Sequence, residues 1–283
     1  MSIEDIILKY SCRGMDLLRP YLPEDFCSRA ALKIVNLKNP DRRERIILAT
    51  GFYVRGFAET DGPLGVYVLA KVLEGVGFEP VIVTDRYCRD FFESEGWQVI
   101  YMETGTADMY TDSTEQVVEI IDKINPVCLI SVERCGENIH GDYTNMRGIS
   151  IRKNTAPVDK LFVLAKNRGI FTVGIGDGGN EIGMGNLKKQ ISKKLPLVPC
   201  DVCTDVLIIA TVSNWGAYGL AAEIAKVLQK KMPLWVPVEE FLKRIVDIGC
   251  VDGVIGEQNC SIDGFDLSKE KEIYEECAKS SRL

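Results

Sequence analysis

The sequence predicts an α/β chain: a doubly wound, mostly parallel, Rossmann-like sheet with an N-terminal helical extension. Three observations predict it. Short apolar runs at residues 45–50, 81–83, 98–101, 127–132, 170–173 and 206–210 alternate with segments of helical period. Runs such as 45–50 (RIILAT) are apolar on both sides, as strands of a sheet covered on both faces are. Polar, glycine-containing loops follow four of the runs, where ligands bind in open α/β sheets.

Residues 2–18 carry Ile3, Ile6, Ile7, Met15 and Leu18 at near-helical spacing, which predicts one helix ended by Pro20 and Pro23. Residues 25–37 predict a second, and nothing in either suggests chemistry. Strand 45–50 opens into loop 51–65 and helix 66–76. Strand 81–83 precedes Asp85 and a helix through Glu95; strand 98–101 precedes helix 113–123. Strand 127–132 ends at Glu133 and Arg134, and helix 157–168 has Pro157 near its first turn, where a missing N–H is tolerated. Strand 170–173, a glycine-rich loop and a helix follow, then strand 206–210, a helix from Ser213 to about Lys230, and an outer helix at 238–246. With no repeat, low-complexity tract or linker, one α/β domain spans 1–283: helical extension 1–44, core 45–265 and C-terminal helix or tail 266–283.

Composition narrows the function. The 283 residues are 46% hydrophobic and 27% charged, enough for a sizeable core and against disorder. A net charge of −7 without a Lys/Arg run argues against nucleic acid. No apolar run reaches the length of a membrane span, so no membrane partner is expected. The 10 cysteines are scattered singly; Cys200 and Cys203 form a lone C-x-x-C with no second pair and no nearby histidine. With no secretory leader read at the N-terminus, reduced thiols and a cytoplasmic location are expected. The single histidine, His140, weighs against a His triad or a His-rich metal site. The expected partner is a small acidic molecule, and a homo-oligomer stays open.

In a parallel sheet the loops after the strands share one edge. Loop 51–65 holds Arg55, Glu59, Thr60 and Asp61, with Thr60 or Asp61 placed to cap the following helix. Loop 131–148 holds Glu133, Arg134, Asn138, His140, Asp142, Tyr143, Asn145 and Arg147. Residues 174–185 (GIGDGGNEIGMG) are half glycine, which lets main chain approach a ligand closely, and offer Asp177, Asn180 and Glu181. Residues 211–216 offer Ser213 and Asn214 at a helix start.

Arg134 and Arg147 have the planar fork that binds carboxylates bidentately; Thr60, Asn145, Asn180, Ser213 and Asn214 are candidate substrate-binding hydrogen-bonding groups. Asp177 and Glu181, with Asp61 or Glu59, offer the oxygen ligands of a hard cation such as Mg²⁺ or Mn²⁺. Asp177, Glu181 and Glu133 are the candidate catalytic carboxylates. Four residues apart, Asp177 and Glu181 would share one face if the loop ran into a helix. Each feature has a purely structural alternative: Asp177 or Asn180 as a helix cap, and the arginines paired within their loop to Glu133, Glu137 or Asp142. Gly174-x-Gly176-x-x-Gly179 also matches a dinucleotide fingerprint, but with no clear acidic partner on a following strand.

Thr50-Gly51-Phe52, Glu59-Thr60-Asp61-Gly62-Pro63, Asn145-Met146-Arg147-Gly148, the block from Gly176 to Gly185 (GDGGNEIGMG), Ser213-Asn214-Trp215-Gly216 and Val251-Asp252-Gly253 occur in an order that resembles the D-glutamate cyclase family. The resemblance runs from about Arg45 to Asp263. It implies a hydro-lyase that cyclises D-glutamate to 5-oxo-D-proline with loss of water. Such a site needs an anion clamp, a base for the ammonium, and an acid or metal polarising the other carboxyl. Arg134 and Arg147 suit the clamp; Asp177 and Glu181 suit a metal site or a base. Two alternatives remain beside it: another metal-assisted enzyme acting on an amino acid, dicarboxylate or phosphorylated metabolite, and a non-catalytic small-molecule binding module.

Overall fold

The structure, a computed structural model, describes residues 1–104, 109–232 and 236–282; Leu283 of the expected tail lies outside them. Helices α1 (Ile3–Ile7), α2 (Met15–Leu18) and α3 (Phe26–Val35) precede strand β1 (Arg45–Ala49). A small ribbon, β2 (Tyr53–Val54) with β3 (Phe57–Ala58), leads to α4 (Pro63–Gly75). Then come β4 (Glu79–Asp85), β5 (Gln98–Met102), α5 (Met109–Ile124), β6 (Cys128–Val132), α6 (Asp159–Asn167), β7 (Phe171–Gly176), α7 (Lys188–Lys194), β8 (Val206–Ile209), α8 (Ser213–Val227) and α9 (Val238–Ile248). A second ribbon, β9 (Ser261–Ile262) with β10 (Phe265–Asp266), leads into α10 (Leu267–Ser280).

The six-stranded sheet runs β5-β4-β1-β6-β7-β8, and every pairing in it is parallel. The chain starts mid-sheet, winds outward through β4 and β5, then returns to β6 beside β1 and winds the other way. This is the doubly wound Rossmann order, and it puts the topological switch point between β1 and β6. Ile46, Ile47, Leu48 and Ala49 of β1 and all of β6 and β7 are buried, as the two-sided apolar runs require. No helix among the described residues is long and apolar enough to cross a membrane.

Two elements differ from expectation. The helix expected over residues 2–18 breaks into α1 and α2: the stretch between them is largely polar, and Tyr10 (φ 61°) and Gly14 (φ 81°) take left-handed backbone. Arg13 sits in this break. The helix expected from Asp85 through Glu95 is instead two 3₁₀ turns, Arg86–Cys88 and Glu93–Glu95, interrupted by Asp90 at φ 68°.

Helices α4 and α8 start at the switch point and cap each other. Asp61, just before α4, accepts hydrogen bonds from the Ser213 and Asn214 amides at the start of α8, 2.8 Å each. Asn214 Oδ1 accepts in return from the Gly62 and Gly65 amides of α4, 2.8 and 2.7 Å. The expectation that Thr60 or Asp61 caps α4 is therefore corrected. The helices pack so closely at Gly65 that a Cβ there would lie 2.9 Å from the Ala217 methyl.

Candidate functional site

The chain ends of β1, β6 and β7 deliver carboxylates to one place. Glu59 and Asp61 come from the segment after β1, Glu133 from the residue after β6, and Asp177 and Glu181 from the loop after β7. Asp263 joins them from the β9–β10 turn, and Arg13 reaches in from the N-terminal break. One oxygen each of Glu133, Asp177 and Glu181 lies within 4.8 Å of the others, and the same holds for Asp61, Asp177 and Asp263. Asp177 is shared. All these carboxylate side chains are buried, and the Arg13 side chain, 17% exposed, meets solvent.

The glycines of residues 174–185 serve the loop's own chain. Gly178 and Gly179 amides both donate to the Glu181 carboxylate at 2.7 Å. A Cβ at Gly176 or Gly178 would stand 2.9 or 2.7 Å from Glu181 oxygens, and one at Gly174 only 2.3 Å from the Ile182 carbonyl. The loop curls through left-handed Gly179 and Gly183, and Glu181 bridges to Cys135 outside any helix. Asp177 and Glu181 thus meet through this curl, which corrects the expectation of a shared helical face and gives the dinucleotide fingerprint no helix start to use. Glu133 (φ 46°) and Asp263 (φ 54°) are themselves left-handed without being glycine, a strained backbone that clusters at functional sites.

The electrostatics are one-sided. Burial pushes the Glu59, Asp61, Glu133 and Asp177 carboxyls well above their ordinary range and raises Glu181 as well. Neighbouring carboxylates add to it: Asp263 and Asp61 on Glu59, Glu181 and Asp61 on Glu133. Arg13 opposes this. Its Nη1 donates to Asp177 Oδ1 at 2.8 Å, and its other terminal nitrogen pairs with Asp263. Burial disfavours its charge, yet Asp177, Asp263 and Glu133 hold it protonated well above its usual value. Asp177 Oδ2 is buried with no hydrogen-bond partner among the described residues.

The sequence profile described as "D-glutamate cyclase-like, C-terminal" matches residues 3–277. The chain belongs to this family. A relative from Homo sapiens, "D-glutamate cyclase, mitochondrial", is 32% identical, over 59% of this chain and 29% of its own length; the chain thus spans less than a third of the curated relative it matches. A solved structure, a glycosyltransferase from Rickettsia africae ESF-5, is similar over 59% of this chain and 42% of its own at 16% identity and a TM-score of 0.32.

Within this D-glutamate cyclase-like chain, the expected catalytic carboxylates Glu133, Asp177 and Glu181 do come together. The expected metal set of Asp61, Asp177 and Glu181 divides between two trios joined at Asp177. The expected arginine clamp is corrected. Arg134 is fully buried, paired with Asp85 at 2.6 Å and donating to the Gly51 and Ala156 carbonyls at 2.5 and 2.8 Å; its fork is spent inside the protein. Arg147 is exposed on a turn that Asn145 Oδ1 closes by accepting from the Arg147 and Ile149 amides.

The other expected ligand groups also have internal partners. Ser213 Oγ donates to Glu133 at 2.5 Å, Thr60 Oγ1 to the Ser261 carbonyl, Asn214 Nδ2 to the Thr60 carbonyl and Asn180 Nδ2 to the Thr144 carbonyl. Sequence reasoning missed Arg13 and Asp263. The signal for Arg13 was the polar interruption beside Gly14; Asp263-Gly264 is a turn dipeptide with nothing local to set it apart.

Proposed function

We propose that this chain is a lyase that cyclises D-glutamate to 5-oxo-D-proline with loss of water, assisted by a divalent cation such as Mn²⁺ or Mg²⁺. The observation that carries the reading is the buried excess of carboxylates at the switch point. Either trio is an all-oxygen donor set, the ligand type a hard cation takes, with one oxygen from each residue within 4.8 Å of the others. The partnerless, buried Asp177 Oδ2 fits the same purpose. When bound, the cation polarises the side-chain carboxyl as a Lewis acid.

Ring closure moves two protons. The α-ammonium must shed both before its nitrogen becomes a lactam N–H, and the departing carboxyl oxygen must gain both to leave as water. Carboxyls whose proton affinity is raised by burial and by one another suit that relay. Glu133 is the first acceptor in this proposal, its carboxylate oriented by the Ser213 hydroxyl at one oxygen. Asp177 and Glu181 hold the relay's geometry, the latter pinned by the Gly178 and Gly179 amides.

The test is incubation with D- or L-glutamate, with and without Mn²⁺, and mass spectrometry for 5-oxoproline. The expected outcome is product from D-glutamate that depends on the cation and stops with EDTA. Absence of product from both enantiomers in both conditions overturns the reading, and D-glutamate binding without turnover would make the chain a binding module. A cytoplasmic location is proposed from the singly scattered cysteines; the human relative's name says mitochondrial, and cell fractionation decides.

A further inference from the structure

Asp177 lies at the centre of two overlapping oxygen trios, and the two are not equivalent. The outer trio, Asp61, Asp177 and Asp263, already holds a positive charge, because Arg13 binds Asp177 Oδ1 at 2.8 Å and pairs with Asp263. Among the described residues, the inner trio, Glu133, Asp177 and Glu181, has no cationic side chain bonded to it apart from Arg13 at the shared Asp177. Its Glu133 and Glu181 oxygens are oriented by neutral donors: the Ser213 hydroxyl and the Gly178 and Gly179 amides. The second Asp177 oxygen is buried without a hydrogen-bond partner among the described residues.

We propose that Arg13 stands in for a second metal ion: the site takes one divalent cation, at Glu133, Asp177 and Glu181, and the Arg13 guanidinium is its other positive centre. Resting on the reading above, this adds how a carboxylate substrate binds. Two positive centres flank Asp177, one a hard cation and one a planar fork, and a substrate carboxylate bridges them. The guanidinium serves where two acidic trios sharing one residue would otherwise admit two ions. It also takes the clamp role: Arg13 is paired with the cluster at Asp177 and Asp263 and its side chain is 17% exposed, whereas Arg134 is fully buried on other partners.

The experiment is Mn²⁺ stoichiometry in the absence of substrate, read from the free-Mn²⁺ electron paramagnetic resonance signal during titration of the full chain. Wild type should bind one Mn²⁺ per chain and Arg13→Gln two, with spin coupling between them; Arg13→Lys, which keeps the charge, should bind one. Glu133→Gln, which keeps an acceptor for Ser213, should weaken the single wild-type site at least tenfold, whereas Asp263→Asn in the otherwise wild-type chain should leave it in place. These last two variants read the assignment even if Arg13→Gln does not fold. Two ions in wild type, one in folded Arg13→Gln, or a site lost in Asp263→Asn and kept in Glu133→Gln would each overturn the proposal. If the stoichiometries hold while no 5-oxoproline forms, the reaction assignment fails and the cation assignment stands.

Discussion

Arg134 and Arg13 both bring a guanidinium to the switch-point edge of the sheet, and the regions around them are charged in different ways. Arg134 is wholly buried, and its terminal nitrogens and charge are taken up by one carboxylate, Asp85, and two main-chain carbonyls, with only Nε left without a partner among the described residues. Around Arg13, the carboxylates of Glu59, Asp61, Glu133, Asp177, Glu181 and Asp263 crowd together against one guanidinium. Burying charge is costly, and a pair kept for the fold must be closely compensated to survive it. The first region is what compensation looks like. The second is left unbalanced, and a fold tolerates that where protons or a cation complete it.

The largest separation should come from Asp177→Asn. The amide keeps an oxygen for Arg13 while removing one buried like charge, so the melting temperature should hold or rise. Turnover of D-glutamate, by contrast, should fall by about 10²–10⁴-fold, the range for losing a group that handles protons or charge in the transition state. A variant that turns over normally would place Asp177 with Arg134 among the purely structural charges. Next comes Arg134→Met, which strands Asp85 in the interior. It should lose about 3–5 kcal/mol of stability in urea unfolding, with KM changed little in whatever fraction remains folded. A large rise in KM without loss of stability would restore Arg134 as the clamp.

The same contrast explains what the sequence could disclose. The order of strands and helices was legible because two-sided apolar runs and helical periods are local properties. Glu133, Asp177 and Glu181 were legible because each follows a strand, and parallel strands release their loops at one edge. Arg13 and Asp263 were not: they lie near opposite ends of the chain, and only tertiary folding brings them together. Arg134 looked available because residue type carries no record of burial, and the partner that occupies it, Asp85, ends a different strand. Asp61 looked like a cap for α4 by adjacency, while in space its two oxygens accept from the Ser213 and Asn214 amides at the start of α8.

A smaller effect should appear in the pH dependence of the metal-free protein. Glu270, buried where it accepts from Trp215 Nε1 and the Tyr218 hydroxyl at 2.6 Å each, is pushed up to about 7 from 4.5 by burial, with Asp263 adding to the rise. Below pH 4.5 the group is protonated in folded and unfolded chains alike, so no stability is lost. Between there and pH 7 the unfolded chain releases its proton first, and stability falls as pH rises, by roughly 3 kcal/mol for this group alone. Unfolding at stepped pH should show that decline, and Glu270→Gln, neutral throughout, should flatten part of it. A stability curve that rises over this window would mean that the acidic region is compensated after all.

The smallest effect is expected at Arg147, and it sharpens the contrast from outside both regions. Arg147 is exposed, its amide donates to Asn145 Oδ1, and its side chain is in neither trio. Arg147→Ala should therefore change stability by no more than about 0.5 kcal/mol, as surface substitutions away from special features do. KM and kcat for D-glutamate should both stay within about twofold, because losing a bidentate carboxylate contact would cost about 1.5–3 kcal/mol, or roughly 10- to 100-fold in affinity. Arg13→Ala, assayed beside it, should show that larger loss in KM. If the two results are reversed, substrate is held by the 145–148 turn, and Arg13 belongs with Arg134 as a charge kept for the fold.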